Sequence, residues 1–207
     1  MTKSNDTGEI LLKVWKSHQG PAAETYDEVL RDVSRHAHEE RSIGKTDIGA
    51  LVVWKRLNAS TRWAKKLMLT PESRVRESTG KAWWIANDDT RSIADAGGAA
   101  RGELREVPGL GGGGAIASAV LVALAPSRMA VWDKRVRITL ETMGWTPTPG
   151  SETYASYLEI VTQLAQHMQL ADGAGHEFLP RDVDLALFHA ADDVEVLDSL
   201  RCMTSDL

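Results

Sequence analysis

A chain of 207 residues, 43% of them hydrophobic, is long enough to bury one sizeable core and fits one domain, or one domain with an arm. Its single cysteine, Cys202, excludes an internal disulfide and a cysteine-ligated zinc or iron–sulfur site. The formal charge of −5 argues mildly against nucleic acid as a partner, but it is unevenly spread. Lys55, Arg56, Arg62, Lys65, Lys66, Arg74, Arg76 and Lys81 meet only Glu72 and Glu77 across residues 53–81, whereas residues 171–207 are acidic, so the average hides a basic face able to meet phosphate. No signal peptide is visible at Met1-Thr2-Lys3-Ser4, and the longest apolar run, Ala115 to Pro126, is too short to span a bilayer. The expectation is a soluble, cytoplasmic monomer with no membrane partner.

In chain order, residues 1–8 are polar and expected to fray, and residues 1–20 read as an N-terminal arm ahead of a single helical domain, 21–207. Ile10 to Trp15 is apolar but too short to assign. Tyr26, Val29, Leu30 and Val33 recur at helical spacing and predict a helix over Thr25 to Glu40. His36 and His38, near its end, stand two apart on different helix faces with no third ligand in view, so they read as a solvated helix end and not as a metal site. Lys45 to Leu57 predicts a second helix, with Ile48, Leu51, Val52 and Trp54 inward. Asn58-Ala59-Ser60 breaks it, and Ser60 reads as the N-cap of a helix over Thr61 to Leu69. Thr70-Pro71 opens a short helix through Arg76, and Thr79 to Asp88 predicts another.

Ala94 to Ala100, rich in alanine and glycine, leads into a helix at Arg101 to Glu106, the first of a hairpin over residues 101–125. An apolar helix follows over Ala115 to Ala125, ended by Pro126. Asp133 stands at an N-cap position for Lys134 to Met143, with Gly144 as the stop. Thr146 to Ser151 is a linker. Glu152 to Leu170 is a long amphipathic helix within an acidic helical stretch, 152–200, and Pro180 begins the last helix. No strand pattern and no internal repeat stands out, so the fold class is all-α.

The stretch from Leu104 to Asp133 carries the most information. Leu104 and Val107 precede a tight Gly109-Leu110-Gly111 turn, and the small residues Ala115, Ala117, Ser118 and Ala119 follow in a second helix that they allow to pack close to the first. Such a turn leaves backbone N–H groups pointing outward at a helix N-terminus, which suits a phosphate. The glycine run through Gly114 permits close backbone approach, but costs about 1 kcal/mol per helical position relative to alanine.

With Val107-Pro108-Gly109-Leu110-Gly111 as the hairpin and Asp133 after the next loop, the chain resembles the helix-hairpin-helix DNA glycosylase superfamily, the family of endonuclease III and the oxoguanine glycosylases. The helical layout on both sides is compatible with that resemblance over residues 40–200. It implies a helix-hairpin-helix glycosylase-like fold, double-stranded DNA as partner, and hydrolysis of the N-glycosidic bond of an extruded damaged or modified base. Asp133 would be the catalytic carboxylate, steadying an oxocarbenium-like sugar or guiding water to it; the same residue also reads as a plain helix cap. Gly109, Gly111 and Gly113 would present amides to a phosphate, and Arg128, Lys134, Arg135 and Arg137 would add charge. Asn58 and Ser60 stand where the family fills the gap left by the extruded base, and Trp132 is the candidate for stacking on that base. Lyase-type members carry a lysine just after the hairpin. Gly112-Gly113-Gly114 stands there instead, which implies a monofunctional enzyme using water and needing no cofactor. A potassium or sodium ion at the hairpin is implied by the resemblance alone, and no iron–sulfur cluster is expected. Two other readings remain open: an inactive helix-hairpin-helix DNA-binding protein, and a helical protein-interaction domain.

Overall fold

The computed structural model describes residues 3–112, 114–173 and 175–202. Among the described residues every regular element is a helix, so the chain is all-α as its periodicity predicts. The order is α1 (Lys3–Ser17), α2 (Pro21–Tyr26), α3 (Glu28–Glu40), α4 (Lys45–Trp54), α5 (Arg62–Leu69) and α6 (Glu72–Ala86). It continues through α7 (Ile93–Glu103), α8 (Ala115–Leu124), α9 (Lys134–Thr142), α10 (Thr153–Asp172), α11 (Pro180–Ala190) and α12 (Val194–Cys202).

α8 is apolar on every face, and all its residues from Ile116 to Leu124 are buried, the pattern of a helix enclosed all round. α3, α4, α6 and α7 pack about it. A second group, α1, α9, α11 and α12, gathers around α10, which lies along α1 and touches α11, while α9 packs on α11 and α2 packs on α3. The α7–α10 contact joins the two groups. Gly97 makes it possible, because an added Cβ there would meet Leu158 Cδ1 at 2.1 Å.

Several predicted boundaries shift for identifiable reasons. The segment expected as an arm, 1–20, is largely α1, and it is no appendage: Leu11, Leu12 and Val14 are buried, and the helix packs on α10 and α11. The helix expected over Thr25–Glu40 divides at Asp27, whose carboxylate leaves the helix to accept a hydrogen bond from Trp54 Nε1 at 3.0 Å. The two short helices expected between Pro71 and Asp88 are one continuous α6. The weak propensity of Thr79-Gly80 is offset by tertiary bonding, for Thr79 Oγ1 donates to Ile43 O at 2.7 Å and accepts from Ile43 N at 3.1 Å. The cap of α5 is Thr61, which accepts from Ala64 N, and not Ser60. The first hairpin helix begins earlier than expected, at Ile93, where the Ser92 side chain accepts from Asp95 N. Beyond α11 a further helix, α12, begins after Asp193, which accepts from Glu195 N and Val196 N.

Candidate active site

Asp133 is delivered by an extended segment, residues 129–133, between α8 and α9. An extended strand without a sheet needs other partners for its backbone groups, and three helices supply them. Tyr154 Oη donates to Ala130 O at 2.8 Å, and Tyr157 Oη donates to Val131 O at 2.9 Å, both from α10. Asp184 Oδ2 of α11 accepts from Val131 N at 2.6 Å. Ser118 Oγ, in the first turn of α8, accepts from Trp132 N at 2.9 Å. The last bond ties the segment to the hairpin end of α8, one residue before Asp133. Burial raises both tyrosine hydroxyls well above the ordinary phenol range, so they remain donors.

The Asp133 carboxylate has two distinct tasks. Oδ1 caps α9, accepting from Arg135 N at 3.0 Å and Val136 N at 3.2 Å. Oδ2 accepts from Lys55 Nζ at 2.7 Å, and the two side chains are only 11% and 13% exposed. Lys55 follows α4, 78 residues upstream, and its ammonium also sits 5.4 Å from the ring centroid of Phe188 and 5.6 Å from that of Trp54. Both members of this pair line a cavity of about 630 Å³, whose aromatic walls include Trp15, Tyr26, Trp54 and Phe188.

Beneath that pair lies a second charged group. The Arg181 guanidinium donates to Asp184 Oδ1 and reaches Asp27 Oδ2 at 3.5 Å. Burial pushes the Asp184 carboxyl up to about 6, against the pull of Arg181 and the Val131 amide. At the cavity wall the imidazoles of His18 and His189 stack with centroids 3.8 Å apart. Burial, and then the neighbouring His18, hold His189 below the usual imidazole range.

The hairpin is looser than its spacing predicts: α7 ends at Glu103 and α8 begins only at Ala115, so Gly109-Leu110-Gly111 lies within the connection 104–114 and not at the N-terminus of α8, with Leu104, Val107 and Leu110 buried beneath it. Gly109 has φ +91°, and a Cβ there would meet the Trp63 ring at 2.2 Å, so only glycine lets the turn lie on α5. The amides of Gly109, Gly111, Gly112 and Gly114 have no acceptor among the described residues, and Gly111, Gly112 and Gly114 are exposed. Gly113 lies outside the described residues. Asn58 and Ser60 are exposed on the loop that runs from Lys55 to α5, with Asn58 Oδ1 accepting from Ser60 N at 2.7 Å. That loop therefore connects the lysine that holds Asp133 to the helix that carries Trp63 against the hairpin.

The remaining predicted residues divide. Lys134 is exposed and makes no ion pair among the described residues. Arg137 is exposed and reaches Glu141 at 3.7 Å. Arg135 pairs with Asp192 and lies 4.6 Å from the Phe188 ring centroid. Arg128 is turned inward, with its guanidinium donating to Asp89 Oδ1 at 2.8 Å and to the carbonyls of Asp88 and Arg91, so it braces the α6–α7 turn. Trp132 packs on Tyr157, with ring centroids 4.8 Å apart, and does not line the cavity; Trp15 and Trp54 do. At the hairpin, the carbonyls of Leu104 and Val107 accept backbone N–H groups and that of Gly112 accepts the Arg101 guanidinium. Among the described residues no group of three or more His, Cys, Asp or Glu side chains is placed to hold a metal, and no helix is long and apolar enough to cross a membrane.

Lys55, Asp184 and the aromatic wall are what sequence reading missed. Lys55 had only its place in the basic stretch to mark it, and Asp184 only its place in an acidic end. No protein-family model, curated protein or solved structure matches the chain, so a functional reading rests on this geometry.

Proposed function

We propose that this chain is a monofunctional DNA glycosylase-like hydrolase that binds duplex DNA through the hairpin amides and cleaves the N-glycosidic bond of a base extruded into the cavity. The observation that supports this is the Asp133 carboxylate: it is capped on a helix N-terminus, fixed by Lys55, open to an aromatic-walled cavity and one residue from a bond to the hairpin helix. A carboxylate fixed in that place is the group that steadies a sugar turning cationic. Water is the nucleophile: its oxygen bonds to C1′ as the C1′–N bond breaks, and the leaving base takes a proton. Aromatic faces at Trp15, Trp54 and Phe188 suit a base taken out of its stack.

The test is base release from duplexes carrying damaged and modified bases, with wild type and Asp133→Asn compared. The expected outcome is a loss of about 10²-fold or more in the release rate, with DNA affinity retained and no covalent adduct trapped by borohydride. Absence of release from every duplex would remove the enzymatic reading. A borohydride-trapped adduct at Lys55 would instead make the enzyme a lyase.

One observation favours the non-enzymatic reading, a DNA-binding module of the same build: both Asp133 oxygens already accept hydrogen bonds, Oδ1 from the α9 amides and Oδ2 from Lys55. Salt-sensitive DNA binding without base release would select it.

A further inference from the structure

The cavity is larger than a bare base requires. An extruded purine has about ten non-hydrogen atoms, whereas pockets of roughly 300–1,000 Å³ take ligands of drug size, and this one measures about 630 Å³. Its walls also differ in character. Around Asp133 and Lys55 stand Trp54 and Phe188. The end of α1, the connection after it and α2 supply acceptors instead: Ser17 Oγ donates to Val14 O at 2.8 Å and Gln19 Nε2 to Trp15 O at 3.2 Å, which leaves the Gln19 carbonyl and the Glu24 carboxylate, while Arg31 reaches across from α3 to the Glu24 carbonyl. The Glu24 carboxylate makes no ion pair or hydrogen bond among the described residues and is exposed on that wall. An aromatic wall takes a flat ring, and unbonded carbonyl and carboxylate oxygens take the hydrogens of hydroxyl groups. Ala22 and Ala23, between them, keep the space open.

We infer that the substrate base carries a bulky, hydroxyl-rich substituent of about the size of a sugar, seated against the α1–α2 connection while the base ring lies among the aromatics. This rests on the glycosylase reading above and names its substrate class. The reaction is unchanged: the C1′–N1 bond of a substituted pyrimidine breaks, water supplies the hydroxyl to C1′, and the pyrimidine leaves with a proton on N1.

The experiment uses the full chain and duplexes containing one 5-hydroxymethylcytosine, either bare or glucosylated on its hydroxymethyl group, alongside duplexes with uracil, hypoxanthine or 8-oxoguanine. Freed bases are measured by mass spectrometry. The expected result is that the glucosylated base is released at least tenfold faster than its bare parent, and that Ala23→Trp, a change at an exposed helix position, brings the ratio of the two rates toward one. Release of the bare or small damaged bases as fast as the glucosylated one would overturn the inference and leave the glycosylase reading standing. Release from none of the duplexes would overturn both.

Discussion

Asp184 shows how one buried residue couples stability to the site. Its carboxyl holds the Val131 amide, and hence the segment that carries Asp133, while burial raises its pKa to about 6 from an ordinary value near 3.8. A group with a raised folded-state pKa adds stability that is fully present below the unfolded value and is lost as pH rises through the folded one. Wild type should therefore lose stability from this residue as pH rises from 4 to 7. Urea unfolding of wild type and Asp184→Asn across that range checks it. The variant's stability should fall less steeply, and parallel curves would show that Asp184 stays ionised throughout.

Among the elements, the hairpin and α5 form one unit, because Trp63 lies on the turn at Gly109. Gly109→Ala combines a positive φ with a ring contact that leaves no room, so it should cost about 2–4 kcal/mol. Thr61→Ala removes the α5 cap and should cost about 1 kcal/mol. Ser60→Ala, at an exposed loop position that caps nothing, should leave the unfolding midpoint unchanged while weakening DNA binding if the loop enters a groove. Thermal or chemical unfolding of the three variants ranks them, and a Ser60→Ala cost equal to that of Thr61→Ala would contradict the capping assignment.

For the whole molecule, an acidic chain reaches DNA only if its cations are gathered on one face. Arg62, Lys65 and Lys66 on α5 and Lys134 on α9 are all exposed, α5 lies beside the hairpin through Trp63, and Lys134 adjoins Asp133. The slope of log affinity against log salt should then be about −4, and each of Lys65→Ala and Lys66→Ala should reduce it by about 1 for every DNA sequence alike. Fluorescence anisotropy at several salt concentrations measures it. Absence of any salt-dependent DNA binding would point to a protein partner in place of DNA.

What could be read from sequence was local. The all-α class, the glycine turn and the cap at Asp133 each depend on residues within a turn or two of one another, so spacing and propensity suffice for them. The same locality explains the errors: Thr79-Gly80 reads as a break until Ile43, 36 residues away, bonds to it, and an N-terminal stretch reads as an arm until α10 and α11 cover it. The Lys55–Asp133 pair and the pinning of residues 129–133 by Tyr154, Tyr157 and Asp184 join segments 24 to 78 residues apart in the chain, and the cavity draws on residues from Trp15 to His189. Only tertiary packing decides such contacts, because they are set by which helix faces bury one another, and no short-range pattern encodes that choice.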